Sequence, residues 1–182
     1  MEEKLYYDID VEKLIEERTE ELIDLASKLI SFPNVSPPGR NSGEVQNFIE
    51  NYLKNLDAEI IRWETFKGDP NIVAVMHGTH PQKHKSLVLN THVDVAEVGD
   101  NSQWSFDPFK PFVKDGRLFG RGASDMKAAQ ASFLLIMKLL KEKNISLGGD
   151  LIFHSVTGEE AGEGITMEAI QRGPKADFAI VG

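Results

Sequence analysis

The chain has 182 residues, a length that favours one domain with a sizeable core. Lys and Arg total 20 against 29 Asp and Glu, a net charge of −9, with no basic cluster; phosphate binding needs positive charge, so nucleic acid and anionic membranes are poor partners. There is no cysteine, which excludes disulfides, thiolate metal sites and thiol nucleophiles and leaves histidine and carboxylates as the ligands for any metal.

The first residues, Met1 to Tyr7, lack the basic-then-apolar pattern of an export signal, and the longest apolar run, Phe133 to Met137, is too short to span a bilayer. A cytoplasmic protein is the default expectation. Val11, Leu14, Ile15, Leu22, Leu25, Ala26 and Leu29 recur at helical spacing and predict a helix over 11–31. Pro33, Pro37, Pro38 and Gly39 end it in a loop. Ser42 then caps a second helix that buries Val45, Phe48, Ile49, Tyr52 and Leu53.

Strands are expected over 59–66 and 71–76, joined by a turn at Lys67-Gly68-Asp69-Pro70, and over 86–91. Residues 96–117 read as a long irregular loop, a length that is often functional. Ser124 opens a third helix to about 143 with Met126, Ala129, Phe133, Ile136, Met137 and Leu140 as its buried stripe. Gly148-Gly149 turns into a strand over 150–156; a short helix over 165–172 and a last strand over 178–181 follow. Strands alternating with helices predict an α/β three-layer sandwich around a mixed, mostly parallel sheet. Sites in such sheets collect at strand C-terminal ends, where His92, Glu159 and Glu160 fall.

Three short segments carry chemistry. In His92-Val93-Asp94 the two polar residues point the same way on extended chain, so Asp94 can orient a metal-bound imidazole; alone, the pair reads equally as polar residues at a strand end. In Gly120-Arg121-Gly122-Ala123-Ser124-Asp125 the third glycine of a dinucleotide fingerprint is missing, and Asp125 is either a bridging carboxylate or a helix-start residue favoured by the dipole. In Glu159-Glu160 two adjacent carboxylates beyond a buried strand suit one ligand and one base, or an ordinary acidic loop. His154 reads as a hydrogen-bonded core histidine, and His80 and His84, separated by Pro81, do not form a ligand-bearing helix. Gly-x-Ser-x-Gly is absent, so a nucleophile-elbow serine has no support.

Together, in their order and surroundings, these segments resemble the M20 metallopeptidases. The likeness is carried by Trp104-Ser105-Phe106-Asp107-Pro108-Phe109, Pro111, Asp115 to Gly122 and Asp125-Met126-Lys127, with His-x-Asp before and Glu-Glu after. That family includes acetylornithine deacetylase, succinyl-diaminopimelate desuccinylase, aminoacylase and glutamate-releasing carboxypeptidases. The resemblance implies His92, Asp125 and Glu160 as metal ligands, with Asp125 bridging two divalent ions. It implies Asp94 as the orienting partner of His92, Glu159 as general base, and a cis bond between Asp125 and Met126. Zinc is the first choice of ion, cobalt or manganese the alternatives.

The implied reaction is hydrolysis of the amide bond of an N-acyl amino acid or small peptide, with dipeptidase or aminopeptidase activity, or a non-catalytic binding module, as alternatives. Thr91 and Ala128-Ala129 stand where the family usually has glycines. The family's next acidic ligand, its final histidine and its lid domain, used for dimerisation, fall beyond Gly182 in the resemblance. Residues 1–182 are therefore expected to be the first part of a catalytic domain, with weak metal binding and negligible turnover on their own.

Overall fold

The computed structural model describes residues 10–36 and 39–182; the expectations for Met1 to Tyr7 and for Pro37 and Pro38 lie outside them. The first helix, α1 (Val11–Ile30), is capped by Asp10, whose carboxylate accepts from the Lys13 amide at 3.0 Å. Only its second half packs firmly: Leu25, Ala26, Leu29 and Ile30 are buried, whereas Val11 and Ile15, expected on the buried face, are exposed because the helix's first turns run beyond the core. A second helix, α2 (Gly43–Lys54), inserts Val45, Gln46, Ile49 and Leu53. Ser42 precedes it as expected but makes no side-chain cap; its amide instead donates to Asp69 at 3.1 Å.

Strands β1 (Glu59–Phe66) and β2 (Asp69–Met76) form an antiparallel hairpin. Asp69 and Pro70 belong to β2 rather than to the turn, because the buried Asp69 carboxylate anchors Ser36, Arg40 and Ser42. After β3 (Leu87–His92), the expected irregular stretch contains a hairpin, β4 (Phe112–Lys114) with β5 (Arg117–Phe119). Asp115 and Gly116 both take positive φ (49° and 72°) at its tip, the conformation that a two-residue hairpin turn requires.

The third helix, α3 (Ala128–Glu142), starts later than Ser124, since Asp125 and Met126 leave helical dihedrals (φ −130° and −133°). Its buried face is Gln130, Ala131, Leu134, Leu135 and Met137, and Ile136, expected inside, is exposed. Gln130 takes its place there because Thr91 and Ser155 hydroxyls accept from its amide, each at 3.0 Å. Strand β6 (Leu151–Val156), helix α4 (Ile165–Arg172) and strand β7 (Phe178–Val181) complete the described residues.

The five-stranded sheet has the order β1-β2-β6-β3-β7. It is mixed, but evenly so rather than mostly parallel: β1 with β2 and β2 with β6 are antiparallel, β6 with β3 and β3 with β7 parallel. Period-2 alternation sends Ile72, Ala74, Leu151 and Phe153 towards α1, α2 and α3, and Val73, Val75, Ile152 and Val156 towards α4. Helices thus cover both faces, the three-layer arrangement that α/β chains adopt. Among the described residues no helix is long and apolar enough to cross a membrane.

Candidate metal centre

Register builds the site. Strands β3 and β6 run parallel with His92 opposite Val156, so the last residue of one strand lies beside the last of the other. The Val93 amide donates to the Val156 carbonyl at 2.8 Å and carries the ladder one step further. The chain leaving β6 then turns at Thr157-Gly158 and delivers Glu159 and Glu160 to the edge where His92 points. Thr157 is fixed there by Asn71, whose Oδ1 accepts from its amide (2.8 Å) and its hydroxyl (3.0 Å).

The turn before α3 supplies the third element. The Asp125-Met126 peptide bond is cis. Asp125 faces solvent while Met126 is buried, its Sδ 3.0 Å from the His92 amide. Lys127, which the sequence reading leaves without a role, is wholly buried. Its Nζ donates to the Leu29 carbonyl (2.8 Å), the Phe32 carbonyl (2.9 Å) and Asn34 Oδ1 (2.7 Å), while Asn34 Nδ2 donates to the Val93 carbonyl at 2.6 Å. One buried lysine thus ties the Asp125 turn to the end of α1 and, through Asn34, to the segment following His92. Burial pushes its ammonium down to about 7, against the opposing charge of Asp94.

The five residues singled out in the sequence come together. His92 Nε2 lies 3.0 Å from Asp125 Oδ1 and 3.6 Å from Glu159 Oε2. One ligand atom from each of His92, Asp125 and Glu160 can be chosen so that all three lie within 4.8 Å of one another. Asp94 is fully buried behind them. Its main-chain carbonyl is 3.0 Å from His92 Nδ1, closer than its own carboxylate Oδ1 at 3.5 Å, so backbone and side chain both face the imidazole. Its Oδ2 accepts from the Glu160 amide at 3.2 Å, and Glu160 Oε1 accepts from the Ala96 amide at 3.0 Å.

Charge in this cluster is unbalanced. Burial draws the His92 imidazole down, but its hydrogen bonds to Asp94 and Asp125 and the charges of Asp94 and Glu159 outweigh this and raise it to about 9. Glu160 is raised by burial and by the neighbouring Asp125 and Asp94 carboxylates. Positive charge is favoured at this point, and a divalent ion fits that need. The donor set, one imidazole nitrogen and carboxylate oxygens, suits zinc, cobalt or manganese. The ring orientation suits it too: Nδ1 is turned to the Asp94 carbonyl and Nε2 to the cleft, where an ion would take the place of the proton between Nε2 and Asp125. His154, His80 and His84 stay out. His154 is buried on β6 against Asn90, and the other two are exposed on the 77–85 loop.

Residues 88–182, more than half of the chain, match the model of peptidase family M20/M25/M40. The chain belongs to that family. It is 48% identical over 181 residues to N-formyl-4-amino-5-aminomethyl-2-methylpyrimidine deformylase of Bacillus subtilis (strain 168), covering all of this chain and 42% of that one. It is 32% identical to succinyl-diaminopimelate desuccinylase of Wolbachia pipientis wMel over 166 residues, 88% of this chain and 40% of that one. The M20 family metallo-carboxypeptidase Sso-CP2 of Sulfolobus solfataricus superposes with a TM-score of 0.75 at 27% identity, over 91% of this chain and 37% of that one. Human carnosine dipeptidase 1 shares the fold, with a TM-score of 0.79 at 20% identity, over 93% of this chain and 40% of that one. The chain therefore spans about two fifths of the length of the curated relatives it matches.

Proposed function

We propose that these residues form the metal-holding part of an amidohydrolase that splits the acyl–nitrogen bond of a small N-acylated amine. The observation that carries this reading is the convergence of His92, Asp125 and Glu160 within 4.8 Å, with the Glu159 carboxylate beside them. The 48% identity to a deformylase favours an N-formyl amine as substrate class. N-succinyl and other N-acyl amino acids are the second reading, favoured by the 32% identity to a desuccinylase. Metal binding is proposed of residues 1–182 themselves, turnover of the whole enzyme.

His92 and Asp125 would hold one divalent ion, Asp125 and Glu160 a second, with zinc the first choice. When bound, the ions polarise the acyl carbonyl and lower the pKa of water. The chain's own groups do the rest. Asp94 faces Nδ1 of the imidazole and so orients the ring with Nε2 toward the cleft. Glu159, half-exposed at the cleft, is not held by any other side chain within hydrogen-bond distance among the described residues, and is free to move a proton. It takes one proton from the attacking water and delivers it to the leaving nitrogen. The water oxygen joins the acyl carbon as the carbon–nitrogen bond breaks; the second water proton leaves on the acid product, which passes it to the amine, so that a carboxylate (formate for a formamide) and an ammonium ion are released. Relatives named for different substrates match this chain, so substrate identity is argued from similarity and the chemistry from the site.

The test is amine release from N-formyl and N-succinyl amines in zinc or cobalt, comparing wild type with Glu159→Gln. General-base loss typically costs about 10²–10⁴-fold, so turnover should fall by that amount while metal binding persists. A variant within tenfold of wild type would remove Glu159 from the reaction.

A further inference from the structure

The turn that carries Glu159 and Glu160 has little stiffness of its own. Gly158, Gly162 and Gly164 all take positive φ, at 73°, 67° and 70°, conformations that glycine adopts at low cost but which leave the backbone free to leave them. Two internal bonds close the turn, from the Gly162 amide to the Glu159 carbonyl (2.8 Å) and from the Glu163 amide to the Gly158 carbonyl (3.0 Å). Something outside must hold it against the sheet. Thr157 is tied to Asn71 at the start, Glu160 to the Asp94 carboxylate and the Ala96 amide in the middle, and at the far end the only ion-pair partner of Glu163 among the described residues is Arg40.

Arg40 grips the Glu163 carboxylate with both terminal nitrogens, Nη1 at 2.6 Å and Nη2 also in contact. It is itself held. Nη1 reaches the fully buried Asp69 carboxylate at 3.4 Å, and the guanidinium lies 3.9 Å from the Phe66 ring centroid. Asp69 is fixed in turn by the Ser36 hydroxyl and the Ser42 amide, both at 3.1 Å. The carboxylate so held lies over Gly158: a Cβ there would sit 2.1 Å from Glu163 Oε2. A rigid post built on the β1–β2 hairpin and the start of α2 therefore presses one carboxylate onto the glycine directly before Glu159.

We propose that the Arg40–Glu163 pair is a positioning device that fixes the Glu159–Glu160 turn in the geometry metal binding requires. It rests on the reading of Glu160 as a ligand. Neither residue touches the cleft atoms; the pair acts through Gly158. A bidentate guanidinium–carboxylate contact suits this task, since it fixes orientation as well as distance.

The experiment uses the 182-residue chain and cobalt(II) as probe. Affinity and visible absorption are read by titration, and amide hydrogen exchange is read without metal. Glu163→Gln leaves the Arg40–Asp69 contact in place and is the deciding variant; Arg62→Gln, which breaks the comparable pair with Glu50, controls for general destabilisation. Glu163→Gln should weaken cobalt binding at least fivefold, alter the absorption spectrum and speed exchange at Gly162 and Glu163. Arg62→Gln should do none of these. Arg40→Lys, which keeps the charge but not the two-point grip, should fall between wild type and Arg40→Gln.

Faster exchange with unchanged affinity and spectrum, or unchanged exchange, would overturn the positioning role and leave the metal site standing. Wild type is expected to bind cobalt weakly; no binding even at ~1 mM cobalt would overturn the metal site itself and the positioning role with it.

Discussion

His154 makes the fold acid-labile by a calculable amount. It is 2% exposed, its Nδ1 is 3.2 Å from Asn90 Oδ1, and its Nε2 meets no partner among the described residues. Burial holds it neutral and pulls its pKa down to about 4. The unfolded imidazole titrates near ~6.5. Between these values the unfolded chain binds more protons than the folded one, so stability rises with pH in that window and is lost as pH falls from about 6.5 towards 4. At pH 4.5 this difference in proton binding amounts to a net loss on the order of 2–3 kcal/mol. That is a large share of a typical domain stability of about 5–15 kcal/mol. The comparison is urea unfolding at pH 7.5 and 4.5 for wild type and His154→Asn, whose amide retains a donor for Asn90. Carboxylates titrate alike in both chains and cancel. Wild type should lose about 2–3 kcal/mol more than the variant. Equal losses would show that His154 is charged or hydrated in the fold, and would refute its assignment to the core.

Two further substitutions probe the supports of the site. Lys127→Met keeps the buried stem; the Leu29 and Phe32 carbonyls retain amide donors from Phe32 and Asn34, but Asn34 Oδ1 loses its donor, and an unsatisfied buried acceptor costs about 1–3 kcal/mol. Relief from burying the ammonium offsets part of this, so urea unfolding at pH 7 should show a loss of about 1–2 kcal/mol. A change below about 0.5 kcal/mol would mean that Asn34 Oδ1 finds another donor. Asp94→Asn retains a carbonyl oxygen for the Glu160 amide but removes the charge facing His92. Followed by NMR, the His92 imidazole should titrate below its present value of about 9, and zinc binding should weaken about 10–100-fold, the usual effect of losing an orienting partner. An unmoved His92 titration would assign its raised pKa to Asp125 and Glu159 rather than to the Asp94 carboxylate.

The parts of the site legible in the sequence are those fixed by local pattern. His92 and Glu159-Glu160 stand directly after apolar runs, and strand ends in α/β sheets are where side chains project into clefts. Helix α4 and strands β1 and β7 match their expected bounds because their flanking glycines, prolines and charged residues mark them sharply. Counting apolar residues failed on α3, where Lys127 and Gln130 occupy the buried face. Periodicity treats a polar residue as solvent-facing, yet a long side chain whose every donor finds an acceptor can sit inside. The signal was present in a weaker form: Lys127 and Gln130 are three apart, in phase with Leu134 and Met137. The β4–β5 hairpin has strands of three residues, too short for alternation to register; Asp115-Gly116 was its sign.

What no local pattern carries is the bracing of the site by residues distant in sequence. Asp69 sits between Gly68 and Pro70, where turn chemistry dominates any single-sequence reading, and only the fold turns it into the buried anchor of Arg40. Arg40 and Glu163 are 123 positions apart. Neither has a neighbour that predicts the other, and each reads as an ordinary surface charge. Ligands are recognised by their type and their place at a strand end. The residues that hold them in geometry are ordinary types in ordinary places until the sheet order β2-β6-β3 brings the two turns side by side. The division has a physical cause: metal chemistry restricts which side chains can bind an ion, whereas many different contacts can hold a turn in place, and only the assembled fold selects among them.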